Sequence, residues 1–357
     1  MRIKPTHGNN RGIALLVTLA VITVLVASTL ELHKRKRTAV LASAASRDRM
    51  TLVQMADSGI HIAMAMLVRD KLDTEIDSLQ EDWANPRKRH ELLADFPFDD
   101  GSIAFDISDE RGRIQVNALV ALPGHEFNTV QFELWDRILG FLKKADESLA
   151  KLDHTAVINA LKDWIDSDDD DAITGLTGAE TPYYKTLDPP YAARNGPIDQ
   201  LSDLFLVKGV TKELLSGPHE EVNLFNYLSV YGASQAEGGK LAYDGKININ
   251  TALLPVLAAL LPEDYSEFAP AIFDYRVEKS NDQYINPLTG LDWYKNAPGL
   301  EDLTIAPELI TNTSDTFRIV STAKLHGMEQ TIETVVQRES RKESGKWGCR
   351  VLHWQTK

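Results

Sequence analysis

The chain has 357 residues, 43% hydrophobic and 25% charged, with a formal net charge of −14 and one cysteine. That composition supports a packed core and excludes a disordered or collagen-like chain, and the lone Cys349 excludes an intramolecular disulfide framework or a Cys-x-x-Cys metal site. The acidic balance argues against nucleic acid, whose phosphates select basic faces, and suits divalent cations or basic proteins.

Residues 1–12 are polar and carry Arg2, Lys4 and Arg11; residues 13–30 then run without a charge. At 1.5 Å per residue this run spans about 27 Å, close to the hydrocarbon thickness of a bilayer. A cleaved signal peptide has a shorter apolar region, of about 7–15 residues, before a small-residue cleavage site. Here the run is followed instead by His33-Lys34-Arg35-Lys36-Arg37. The segment therefore reads as a retained membrane anchor. Three bases precede it and four follow, a count that slightly favours the C-terminal side in the cytoplasm. Residues 38–72 contain no proline and only Gly59, with apolar residues recurring near a 3.6-residue period. The pattern predicts one continuous helix of about 60 residues, roughly 90 Å long, half in lipid and half an amphipathic spine.

Further along, Gly112-Arg113-Ile114-Gln115-Val116-Asn117-Ala118-Leu119 recurs as Gly245-Lys246-Ile247-Asn248-Ile249-Asn250-Thr251-Ala252. Each copy predicts a short strand leading into a helix start, with Asn117 and Asn250 or Thr251 as cap candidates. Helical patterns follow at 130–144, 253–261 and 269–276. Residues 201–215, with Lys208-Gly209-Val210 in the middle, predict a helix-hairpin-helix element. Its balanced charge gives no basic face, so a packing hairpin is preferred over a DNA-binding one. Strands are predicted at 102–108, 316–325, 331–337 and 350–355, the last three as an antiparallel meander with a turn at Gly327.

Between Asp163 and Asp171, six of nine residues are aspartate. Asp166, Asp168 and Asp170 stand two apart, a spacing that lets a looping backbone aim carboxylates at one hard cation. An EF-hand is excluded, because its sixth position would be Asp171 and its twelfth Thr177. Glu180 follows after Gly175 and Gly178 let the chain turn back, with Asp169 and Asp171 in reserve. A solvated acidic run is the alternative. No GxSxG, HExxH, Walker or GxGxxG motif is present, and the nine histidines form no His-x₃-His pair. Cys349 and His61 read as packing or surface residues, so no enzyme is expected.

Gly12 before Ile13, the apolar run and the long amphipathic helix together resemble a type IV pilin-like N-terminus. The resemblance implies cleavage by a prepilin peptidase between Gly12 and Ile13, which would take the formal charge from −14 to −17. Most pilins carry glutamate at the fifth mature position, where this chain has Val17. A carboxylate in lipid needs a partner, and a subunit unable to offer that pairing sits best at a filament end. Several further segments carry the resemblance: Arg11-Gly12-Ile13-Ala14-Leu15-Leu16-Val17, Ala56-Asp57-Ser58-Gly59 and Trp83-Ala84-Asn85-Pro86. So do Asp163-Trp164-Ile165-Asp166, Gly178-Ala179-Glu180, Tyr183-Tyr184 and Asn248-Ile249-Asn250-Thr251-Ala252. In order and spacing they resemble the general secretion pathway protein K family.

That likeness implies an α+β pilin-like fold with a large inserted helical region. The boundaries expected are a leader at 1–12, a transmembrane helix at 13–32, a spine at 33–80 and a β part at 81–112. Two sterile-alpha-motif-like helical domains follow at 113–240 and 241–312, and the C-terminal β part at 313–357 completes the pilin domain. The function implied is a minor pseudopilin at the tip of the type II secretion pseudopilus, anchored once in the inner membrane with its body in the periplasm. Implied partners are other minor pseudopilins, the prepilin peptidase, the inner-membrane assembly platform and membrane lipid, with no nucleic acid. Structural Ca²⁺, one or two ions, is implied at Asp166, Asp168, Asp170 and Glu180. The alternatives are a membrane-anchored helix-hairpin-helix DNA receptor and a minor pilin of a related system.

Overall fold

The proline-free N-terminal stretch forms a single helix, α1 (Arg11–Asp73), of 63 residues. The computed structural model describes residues 11–96, 98, 100–122, 124–167, 173–217, 223–235, 241–341 and 345–357. The most apolar 18-residue window of α1 has a mean hydropathy of 2.6 and none of it is buried within the protein. Its threonine hydroxyls are satisfied inside the helix: Thr18 donates to the Leu15 carbonyl at 2.9 Å and Thr29 to Leu25 at 2.7 Å. This segment is long and apolar enough to cross a membrane, and lipid demands such internal pairing.

The distal half of α1 buries Leu52, Met55, Ala56, Ile60, Ala63 and Leu67, one stripe at helical spacing, against the sheet. Gly59 lies in this stripe. A Cβ there would stand 2.2 Å from the Ser321 hydroxyl, so glycine is what lets helix and strand touch. After Asp73, residues 74–80 are drawn out of the helix by the returning chain: Asp77 N–H donates to the Asn312 carbonyl at 3.0 Å. Asn85 caps α2 (Pro86–Ala94) by accepting from Arg87 N–H, with Pro86 in the first turn. Trp83 is buried edge-on against Phe317, with ring centroids 5.4 Å apart.

β1 (Ser102–Asp109) enters the sheet, and the chain then departs into the helical body. There β2 (Ile114–Gln115) precedes α3 (Thr129–Ala145), α4 (His154–Ile165) and the single turns α5 (Thr181–Tyr184) and α6 (Lys212–Leu215). β3 (Leu228–Ser229) closes this module by pairing in parallel with β2. After a short hairpin of β4 (Ser234–Gln235) and β5 (Leu241–Ala242), the second module opens with β6 (Ile247–Asn248). α7 (Leu254–Leu260), α8 (Ala269–Val277) and the hairpin of β7 (Lys279–Ser280) and β8 (Gln283–Tyr284) follow. β9 (Ile310–Thr311) pairs in parallel with β6. The two copies of the repeated motif thus open modules closed by the same device, and a single buried cluster runs through both.

The asparagines of the repeat do not cap helices. Asn117 exchanges two hydrogen bonds with the Ile198 backbone, Asn250 accepts from Trp293 Nε1, and Leu253 begins α7 with no side-chain cap. Burial drives these amides to partners distant in sequence, the Ile198 backbone for Asn117 and the Trp293 indole for Asn250.

The sheet closes with β10 (Thr316–Leu325), β11 (Met328–Ser340) and β12 (Trp347–Thr356), in the antiparallel order β1-β10-β11-β12. Asp109 faces Phe317, so the helical body leaves and rejoins the sheet on neighbouring strands at one end. The expected hairpin at 201–215 is a 3-10 helix (Leu201–Leu206) and the single turn α6, joined through Gly209 at φ +81°. Cys349 is packed on the spine, and burial pushes its thiol up to about 11. It is a protonated packing residue at neutral pH.

Candidate functional site

Three buried carboxylates, Asp163, Asp166 and Glu180, bring oxygens within 4.8 Å of one another. The first two stand three apart at the end of α4, where successive turns place them on one side. Asp163 also organises the loop that brings Glu180 back: its carboxylate accepts from Thr174 N–H at 3.1 Å and Ala179 N–H at 2.7 Å. Gly175 turns the chain at φ +59°, and a Cβ on Gly178 would come within 2.1 Å of Asp163 Oδ2. Asn159 donates to Thr177 Oγ1, while Tyr184 stacks on Tyr191 and Trp164 meets both rings edge-on.

Two lysines attend this loop. Lys162 Nζ donates to Asp166 at 2.7 Å, and Lys208 Nζ donates to the Thr177 and Gly178 carbonyls at 3.1 Å while lying 4.8 Å from the Tyr183 ring. Lys208, the base of the hairpin, is therefore committed to the acidic loop. Of the residues expected to bind metal, Asp166 and Glu180 meet, whereas Asp168 and Asp170 lie outside the described residues, as do Asp169 and Asp171. Asp163 lies outside the alternating-aspartate pattern, although the Asp-x-x-Asp spacing at a helix end is a legible signal.

The second dense cluster fastens the helical body to the sheet. Asp109, at the end of β1, accepts from Thr251 Oγ1 at 2.7 Å, Asn248 Nδ2 at 2.8 Å and Ser314 Oγ at 2.5 Å. Beside it, Arg338 on β11 donates to Asp77 at 2.5 Å, Asp70 at 3.1 Å, and the carbonyls of Leu67 and Ser314 at 2.9 Å. Glu81 joins Asp70 and Asp77 in this group. Burial and then the charges of Glu81 and Asp77 push Asp70 up to about 7, and burial pushes Asp109 up to about 6.

A carboxyl raised in the fold contributes stability at low pH and loses it as pH rises through the folded value. The body, held in chelator, should therefore melt a few degrees higher at pH 5 than at pH 7.5. Asp70→Asn should flatten the upper part of that rise. A scanning-calorimetry series showing stability climbing from pH 5 to 7.5 would contradict this assignment.

At the N-terminus, Gly12 has open space around its Cα, Ile13 is 63% exposed and Val17 56% exposed on α1. An apolar helix that continues as a sheet-packed spine, with both ends of the sheet sequence flanking a helical insertion, defines the pilin class of membrane-anchored filament subunits. The model of the family described as type II secretion system protein K matches residues 112–217. A type II secretion system protein K from Pseudomonas aeruginosa is 30% identical over 296 residues, covering 80% of this chain and 78% of that protein. The protein of that name from Klebsiella pneumoniae is 29% identical over 254 residues, covering 70% of this chain and 69% of it. One chain of the GspK-GspI-GspJ complex from enterotoxigenic Escherichia coli shares the fold, with a TM-score of 0.61 at 19% identity. That match covers 88% of this chain and 99% of the other. The chain belongs to the type II secretion system protein K family, and its role is that of a minor pseudopilin in type II secretion.

Proposed function

We propose that this protein is the terminal subunit of the periplasmic pseudopilus, a non-enzymatic cap that supports export of folded proteins across the outer membrane. The observation that carries the reading is α1: one exposed apolar helix continuous with a spine whose fifth residue after Gly12 is Val17 rather than an acid. In lipid an acid needs a counter-charge from a neighbour, and valine neither offers nor requires that pairing. The helical body, inserted at one end of the sheet, is bulky enough to block further stacking.

In this reading a prepilin peptidase cuts between Gly12 and Ile13, the helix stays in the inner membrane, and the body faces the periplasm. The assembly platform extracts the subunit together with other minor pseudopilins; the structural relative is one chain of a GspK-GspI-GspJ complex, which supports partners of that kind. Gly12→Ala should leave an uncut precursor and abolish secretion, read by intact mass of the chain and by extracellular cargo. Normal processing of that variant would refute the proposal.

The acidic loop is proposed as a structural Ca²⁺ site. The donors are all oxygen, buried and anionic, which is the chemistry a hard cation prefers. Asp163, Asp166 and Glu180 would hold the ion, tying an irregular loop to the end of α4.

A further inference from the structure

Just beyond its uncharged run, α1 carries Lys34, Arg35, Lys36 and Arg37 in consecutive positions, with His33 before them. Successive helical residues turn by about 100°, so four in a row point around the whole circumference rather than to one face. Every residue from 31 to 43 is exposed. The nearest acid, Glu31, accepts from Arg35 at 2.9 Å. Among the described residues, Lys34, Lys36 and Arg37 have no ion pair. The next acid along the helix, Asp48, stands about 16 Å further on and is held by Arg47 at 3.3 Å and His326 at 3.0 Å. The lengths match a bilayer. The uncharged run of about 27 Å fills most of the hydrocarbon core, and the rise of about 6 Å from His33 to Arg37 matches the depth of one headgroup layer.

We propose that Lys34, Arg35, Lys36 and Arg37 form a belt that binds the phosphates of anionic phospholipids, such as phosphatidylglycerol, in the leaflet that faces the folded body. The proposal rests on the proposed function for the membrane anchor and its orientation. In that orientation the belt lies on the side opposite to the one that the count of flanking bases favours, so setting topology is not its use. The ring geometry selects the occupant. An acidic protein surface would meet one side of the helix and leave the other bases unpaired, whereas headgroups surround it. Long basic side chains reach that layer while their stems stay against apolar chains. The chain as a whole carries −14 despite this belt, so an anionic leaflet repels the rest of the protein and the belt supplies the attraction. The belt therefore fixes the depth of α1 and holds the subunit at the membrane until it is extracted.

The test reconstitutes the full-length chain in phosphatidylcholine vesicles doped with spin-labelled phosphatidylglycerol or spin-labelled phosphatidylcholine. Electron paramagnetic resonance then reads the share of each label immobilised at the protein. The expected result is a clear preference for phosphatidylglycerol that weakens in high salt. Lys34→Gln, Arg35→Gln, Lys36→Gln and Arg37→Gln together should cut that preference at least about fivefold, the effect of even one base at an anionic surface. Glutamine keeps the helix, and both proteins retain Arg2, Lys4 and Arg11, so the difference reports the belt. In secreting cells, p-benzoylphenylalanine at exposed Leu32 should give lipid adducts. Equal preference in the two proteins, or adducts at Leu32 to protein alone, would overturn the belt and leave the anchor reading intact. If alkaline carbonate strips the unaltered chain from the vesicles, the helix does not span them and both readings fall.

Discussion

Replacing Arg338 by methionine is expected to destabilise the folded body by about 3–5 kcal/mol, the cost of removing one partner from a buried ion pair. Arg338 is 2% exposed, and its guanidinium donates to Asp77, Asp70 and two carbonyls that belong to the end of α1 and to the chain re-entering the sheet. Methionine fills the space over Phe317, so the loss is one of charge and hydrogen bonding rather than volume. Asp77, fully buried, would lose the guanidinium that donates to it. Two consequences separate this account from simple misfolding. The deficit should shrink at pH 5, where Asp70, pushed up to about 7 by burial, holds a proton, and Asp77→Asn added to Arg338→Met should recover part of it. Chemical denaturation at two pH values measures both. A loss below about 1 kcal/mol would show that the cluster does not hold the body to the spine.

Calcium at one hundred times its dissociation constant is expected to stabilise the body by about 2.7 kcal/mol if the proposed loop site is occupied. Glu180→Gln should remove that response while leaving the chelated protein near its original stability. Asp163→Asn should remove it and also cost about 1–3 kcal/mol in chelator, because its carboxylate takes the N–H groups of Thr174 and Ala179 and an amide would aim hydrogens at one of them. Magnesium, which demands tight octahedral geometry and keeps its waters, should substitute poorly. Titration calorimetry with each ion decides the matter; an unchanged calcium response in Glu180→Gln would remove Glu180 from the ligand set.

The elements legible in the sequence are those with a strong local period. α1 follows from sixty residues of helix formers with no proline, and β10 begins and ends where alternation predicts. β11 and β12 extend beyond their predicted runs at both ends, since pairing along a neighbour recruits residues whose own preference is weak. Each copy of the repeated glycine-base-isoleucine motif contributes one strand of a short parallel pair, but the partners of its asparagines are not legible, because Ile198 and Trp293 lie dozens of residues away. Likewise the aspartate run drew attention to alternate residues, while the fold assembled Asp163 with Asp166 and Glu180. A helix end and a returning loop decide that grouping.

By itself the sequence determined that this chain is anchored by a long apolar helix, that the helix becomes a spine, and that an antiparallel sheet frames an acidic helical insertion. Period, composition and turn residues act locally and survive in any correct fold. Only the tertiary structure decided which acids share a site, where α1 stops, and how one arginine locks the insertion to the sheet. Those outcomes depend on burial. A polar group removed from water must pair with whatever the packing brings within reach, and that neighbour is set by topology rather than by distance along the chain.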